Sequence, residues 1–130
     1  MDWLNNNAML LTQKTIESTW AKQRLTLDNI ANVDTPGYKA KYAVFGELLA
    51  EKLERFRGNA AATPKEVADV INDTGLHVYA SREESMRLEG NNVNMDVEQL
   101  EMTRNVYEYQ FALQQMTDQL TRLKTAIEGR

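Results

Sequence analysis

The chain has 130 residues, of which 42% are apolar, and 19 acidic side chains stand against 15 basic ones. An acidic balance argues against a partner with a phosphate backbone, because few counterions would be released on binding. The absence of cysteine excludes disulfides, zinc–thiolate sites and thiol catalysis, and no run of about 18 apolar residues could span a bilayer.

The first stretch, MDWLNNNAMLL, lacks a basic region and a continuous apolar core. It is therefore not expected to act as a cleaved signal peptide. A helix is predicted from about Trp3 to Asn32. Met9, Ile16, Trp20, Leu27 and Ile30 share one heptad frame, with Gln13 and Gln23 as its polar members, while Leu4, Ala8 and Leu11 fall in a neighbouring frame. Glu17 and Asp28 interrupt any basic face built on Lys14, Lys22 and Arg24.

That helix runs into DTPGY, residues 34–38. Pro36 pushes Thr35 out of the helical region, and Gly37 tolerates positive φ. Pro then Gly at the centre predicts a type II turn from Thr35 to Tyr38, with Asp34 expected to bond amides ahead of it. Beyond the corner, YKAKYAVF is strand-like. GELLAEKLERFRG is predicted as a short helix burying Leu48, Leu49, Leu53 and Phe56. TPKEVADVI opens with Thr63 as cap, Pro64 at the first helical position and Glu66 closing a capping box. NDTG signals a turn, LHVYA alternates like a strand, and GNNVNMD reads as an extended approach to the last helix.

The last helix is predicted from about Val97 to Ile127, capped by Asp96 with Gln99 and leaving at Gly129. Met102, Val106, Tyr109, Leu113, Met116, Leu120, Leu123 and Ile127 recur at alternating gaps of four and three. Helices of compact domains average about 11–12 residues. One this long with so narrow a stripe is built to pack against other long helices.

Signals for chemistry are thin. His77 is the sole histidine, and a strand or loop position is the expected reading. NNVNMDVE places Asn92, Asn94, Asp96 and Glu98 at alternate positions, but it lacks the glycine and the distal glutamate of a calcium loop, so an asparagine-rich cap is expected. REE at 82–84 and EKLER read as solvated faces, and Tyr107, Tyr109 and Phe111 as packing residues. No catalytic, metal or cofactor residues are assigned, and none of the three parts of a hydrolase site is suggested.

The segment LDNIANVDTPGYKA resembles the N-terminal signature of the bacterial flagellar rod and hook family of axial proteins, which follows a long helix with an Asn-Ile-Ala-Asn segment and a Thr-Pro-Gly-Tyr turn. The matching positions are Asn29, Ile30, Ala31, Asn32, Thr35, Pro36, Gly37 and Tyr38. Residues 90–129 resemble the closing segment of the proximal rod proteins of that basal-body family. Asp34, where other axial proteins more often carry Asn, the short chain and the KTAIEG ending point the same way. The middle, about Gly46 to Leu88, resembles nothing in that family. The resemblance implies a mainly α fold with N- and C-terminal helices paired as an elongated coiled coil. An axial helix over 1–33 and another over 96–130 would flank a turn, extended arm and variable middle over 34–95. It implies a structural, non-enzymatic subunit of the proximal rod of the flagellar basal body, outside the inner membrane, polymerising through its terminal helices and transmitting torque. The C-terminal stripe would be the assembly seam. Export would use the flagellar type III apparatus without signal cleavage. Implied partners are further copies of the chain, the rod proteins FlgC and FlgF, the adapter FliE and the membrane ring, with no nucleic acid, small-molecule substrate or cofactor. A soluble helical hairpin that holds partner helices, as an adaptor or chaperone, is the alternative; it would saturate at small stoichiometry rather than polymerise.

Overall fold

A computed structural model describes residues 7–57, 62–82 and 88–129. The elements run α1 (Asn7–Ala31), β1 (Lys41–Val44), α2 (Gly46–Glu54), α3 (Pro64–Asp73), β2 (His77–Ala80) and α4 (Met95–Glu128). The fold is mainly α: α1 and α4 lie antiparallel against each other, and the four short elements form a small unit at their side. Three bonds fix the antiparallel register. Gln119 Nε2 donates to Thr12 Oγ1 at 3.1 Å, Lys22 Nζ lies 3.5 Å from Glu108 Oε2, and Asn29 Nδ2 donates to Glu98 Oε2 at 3.1 Å. Trp3 and Leu4, the expected start of the first helix, lie outside the described residues, as do the two glutamates of REE.

The side unit has its own core. Phe45, Leu49 and Ile71 are buried, and Leu10 of α1 packs on them together with Leu53, Val67, Val70 and Leu76. Of the four residues expected to be buried by the short helix α2 only Leu49 is fully so; Leu48 and Phe56 are half-buried, and Phe56 lies beyond the end of α2 at Glu54. Helix α3 starts as its sequence dictates. The Thr63 hydroxyl accepts from the Glu66 amide, the Glu66 carboxylate accepts from the Thr63 amide, and Pro64 opens the helix. The Thr63 amide and the Thr63 hydroxyl both donate to the Glu66 carboxylate, at 2.7 and 2.9 Å, and hold its carboxyl below the ordinary range. The strands pair antiparallel, Lys41 opposite Ala80 and Val44 opposite His77, and Tyr42 and Tyr79 meet across the pair with ring centroids 6.1 Å apart and planes tilted by 44°.

The cap of α4 and the role of Asp34 at the corner differ from the sequence expectation, whereas the exit at Gly129 agrees with it. Helix α4 starts at Met95, and its cap is Asn94, whose side chain accepts from the Asp96 amide, rather than Asp96 with Gln99. Asn94 has an extended backbone, which frees its short side chain to reach the first-turn amides. The other end leaves through Gly129 at φ 67°. At the corner, Gly37 has φ 72° and the Tyr38 amide donates to the Thr35 carbonyl at 3.3 Å, as a type II turn requires. Asp34, however, is exposed and makes no hydrogen bond among the described residues. Asn32 and Thr35 brace the bend instead: Asn32 Nδ2 donates to the Asp28 carbonyl at 2.7 Å, and Thr35 Oγ1 donates to Asn32 Oδ1 at 3.0 Å.

Candidate functional site

Two features stand out: a polar knot where α1 ends and α4 begins, and an apolar flank along both long helices.

The knot is centred on Asn29, which is fully buried. Its Oδ1 accepts from the Lys41 amide at 2.9 Å and its Nδ2 donates to the Lys41 carbonyl at 2.9 Å. The side chain thus imitates one rung of a β-ladder and closes the open edge of β1. The same Nδ2 reaches Glu98, whose carboxylate is fully buried and also accepts from the Tyr42 hydroxyl at 2.7 Å. Glu98 sits in the first turn of α4, where unpaired amides favour negative charge. The Tyr38 hydroxyl points at Asn29 Oδ1 from 3.4 Å; burial, then Asp28 and Glu98, push its pKa above the usual value. Asn91, also buried, completes the knot. Its Nδ2 donates to the carbonyls of Asn32, Val33 and Thr35 at 2.8, 2.9 and 2.7 Å. Carbonyls at a helix end have no partner within the helix and cost free energy if left bare. These three carbonyls lie just beyond Ala31, in the corner itself, and those of Asn32 and Thr35 also accept from the Thr35 and Tyr38 amides, so one asparagine from far along the chain ties the corner down. Asn92 Oδ1 adds a bond from the Ala40 amide at 2.8 Å, and the Gly37 amide donates to the Glu89 carbonyl at 2.8 Å.

The signature residues Asn29, Ile30, Ala31, Asn32, Asp34, Thr35, Pro36, Gly37 and Tyr38 thus fall into groups. Asn29, Asn32, Thr35, Gly37 and Tyr38 make the corner's bonds. Ile30 is half-buried, and Ala31, Asp34 and Pro36 are exposed. Sequence reasoning missed Asn91, Glu98 and Tyr42 as members of the knot. Only their spacing from Asn29 in three dimensions identifies them.

Between α1 and α4 the contact is polar and small-sided. From α1 it is made by Thr12, Thr19, Thr26 and Asn29; from α4 by Glu98, Asn105 and Ala112, all buried, with Gln119 half-buried. The threonines are buried without penalty because each hydroxyl donates into its own helix: Thr12 to the Ala8 carbonyl at 2.7 Å, Thr19 to Thr15 at 2.8 Å, Thr26 to Lys22 at 3.1 Å. The Thr12 hydroxyl also accepts from Gln119 across the pair. Asn105 is less well served. It is 1% exposed, and among the described residues neither side-chain atom has a partner.

The stripe singled out in the sequence flanks this contact and divides into two sets seven residues apart. Met102, Tyr109, Met116 and Leu123 are half-buried beside α1. Val106, Leu113, Leu120 and Ile127, further round, are 39, 41, 50 and 69% exposed. Helix α1 repeats the division, with Met9, Ile16, Gln23 and Ile30 half-buried and Trp20 and Leu27 exposed. Relative to the contact row, each stripe is displaced by the same positions of the heptad. In an antiparallel pair this sets both on one side, so the helix pair carries a continuous apolar flank that is left open among the described residues. The second frame noted in α1 leaves Ala8 and Leu11 on the opposite flank. Among the described residues no cluster of histidine, aspartate and glutamate side chains could hold a metal ion, and no described helix is long and apolar enough to cross a membrane.

No family model matches the chain. Proteins named flagellar basal body rod protein FlgB are among those it is similar to. Against that of Bacillus subtilis (strain 168) it is 36% identical over 109 residues, covering 83% of each chain. Against that of Aeromonas hydrophila it is 34% identical over 102 residues, covering 78% of this chain and 77% of the relative. Against that of Salmonella typhimurium (strain LT2) it is 27% identical over 129 residues, covering 94% of each.

Proposed function

The chain belongs to the FlgB family of flagellar basal body rod proteins, and from that premise we propose that it is a structural subunit of the proximal rod that polymerises through its terminal helices and transmits torque. The observation that carries this reading is the inverted distribution of side chains on the helix pair. Polar and small residues meet within the chain, and the long aliphatic and aromatic ones line an open flank. A protein meant to remain alone would bury that stripe first, since each large apolar side chain gains about 1.5–3 kcal/mol on full burial. The assembly seam is Met102, Val106, Tyr109, Leu113, Met116, Leu120, Leu123 and Ile127, joined by Trp20 and Leu27. The exposed area supports the same reading: the chain presents 9288 Å², where a compact monomer of its mass presents about 7000 Å².

In this reading the terminal segments 1–33 and 96–130 form the axial core and the knot sets the angle of the arm between them. FlgC, FlgF, FliE and the membrane ring are its neighbours, the flagellar type III apparatus exports it without signal cleavage, and it works outside the inner membrane with no catalytic step. The test is complementation. A strain deleted for its own copy should lack rods and motility and regain both with this chain, and mass spectrometry should find the chain in purified basal bodies. Basal bodies with normal rods but without the chain would overturn the proposal.

A further inference from the structure

The flank opposite the apolar stripe carries a groove of about 320 Å³ between the two long helices. Ala8, Leu11 and Thr15 of α1 and Phe111, Ala112 and Gln115 of α4 line it. Leu11 is 37% and Phe111 67% exposed, while Ala112 forms a floor only 3% exposed. The small floor residue makes the depression, and the two large apolar residues form its walls. We propose that this groove receives the apolar stripe of a second copy of the chain, with Trp20 of one copy seated between Leu11 and Phe111 of the next.

Area and symmetry choose the occupant. The chain exposes some 2300 Å² more than a compact monomer of its mass, and a stable interface takes about 800 Å² from each partner. The surplus therefore suffices for two contact patches per chain. A two-fold pair would bury stripe against stripe and leave both grooves bare. A head-to-tail contact between stripe and groove covers both patches with one type of interface, and such a contact extends instead of closing unless its rotation returns to the start. Trp20 is 58% exposed and brings a wide apolar ring with little rotamer entropy to lose, the kind of side chain that anchors interfaces. It lies five residues beyond Thr15 along α1. Copies lying the same way up would thus be shifted by about 8 Å along the helix axis at each contact, which favours an ascending assembly over a flat ring. The inference rests on the rod-subunit reading and adds which surface meets which.

The absence of cysteine makes the contact directly readable. A strain lacking its own copy would express Trp20→Cys and Gln115→Cys chains together, distinguished by tags of different mass, and purified basal bodies would be oxidised. The mixed disulfide pair is expected at least tenfold above either homotypic pair. In parallel, p-benzoylphenylalanine in place of Phe111, which keeps the ring, should cross-link to a second copy of the chain at peptides containing Trp20. Homotypic Trp20→Cys pairs alone, or a Phe111 cross-link to a protein of different mass, would overturn the proposal while leaving the rod reading intact. If the cysteine chains fail to enter rods, the photo-cross-link decides alone. Absence of the unmodified chain from basal bodies would sink both readings.

Discussion

The inner row of the helix pair and its outer flank are built from opposite chemistries. Inside, Thr12, Thr19, Thr26, Asn29, Glu98 and Asn105 are buried; outside, Trp20, Leu27, Val106, Leu113, Leu120 and Ile127 stand 39 to 69% exposed. The inner row gains little from hydrophobic burial. It is held by hydrogen bonds, whose net worth is about 1 kcal/mol each, and by the close approach that small side chains allow. The outer flank has most of the apolar potential and leaves much of it unburied among the described residues. The difference teaches that a single copy holds its hairpin shape lightly; in the proposed assembly the larger stabilisation would come from neighbours.

The inner row breaks most readily at Glu98. Glu98→Ala strips the Tyr42 hydroxyl of its acceptor and removes one partner of Asn29. Chemical denaturation of the isolated chain should show a loss of about 2–3 kcal/mol, because two bonds to a buried carboxylate are lost together. An equal truncation on the outer flank, Leu113→Ala, should change the isolated chain by no more than about 0.5 kcal/mol.

Next in size is the corner that closes the inner row. A Cβ at Gly37 would meet nothing within 4 Å, so Gly37→Ala costs backbone strain alone, about 1–2 kcal/mol at φ 72°. Gly46→Ala, where φ is ordinary and the space equally open, should cost less than half as much in the same measurement.

The inner row can also be sharpened toward the outer one. Asn105→Leu removes an amide without partners among the described residues and should raise the stability of the isolated chain by about 1 kcal/mol. A loss would show that the amide is satisfied in solution and that the row is less weakly held than its composition suggests.

The smallest effect is on pH. Burial, Asp28 and Glu98 raise Tyr38 above the ordinary tyrosine value of 10.0. A raised folded value means that the neutral phenol is favoured by folding. Its contribution is complete below pH 10 and fades as pH climbs through the raised value. Ultraviolet titration should show a late phenol that Tyr38→Phe removes, together with the alkaline loss of stability that accompanies it.

How much of this was written in the sequence varies by element. The stripe of α4 and the capping box of α3 were legible because both depend on spacing within a few residues. The Pro36–Gly37 turn was legible for the same reason. The choice of contact row was not: Thr12, Thr19 and Thr26 recur every seven residues, but threonine carries no hydropathy signal, and only its bond to its own helix makes it a burial residue. The knot was hidden for another reason. Asn29 lies 69 positions from Glu98, and Asn91 lies 59 from the Asn32 carbonyl it binds. No local pattern encodes such pairs. The cap of α4 was misplaced by two residues because Asn94 and Asp96 are both good caps, and the extended backbone at Asn94 decides between them.

The central claim is that the open flank of the helix pair is an assembly interface, and Leu120 tests it most directly. Leu120 is 50% exposed in the isolated chain, so Leu120→Asp should leave the circular dichroism and stability of the monomer nearly unchanged. Between subunits the same carboxylate would be buried without a partner, at a cost of several kcal/mol repeated in every copy. Glu128→Lys, outside the stripe, removes only an exposed contact with Lys124 at 4.0 Å, worth little. Basal bodies isolated from the two strains should therefore contain rods with Glu128→Lys and none with Leu120→Asp, although both chains are found in the exported fraction by immunoblot. Normal rods built from Leu120→Asp chains would contradict the claim.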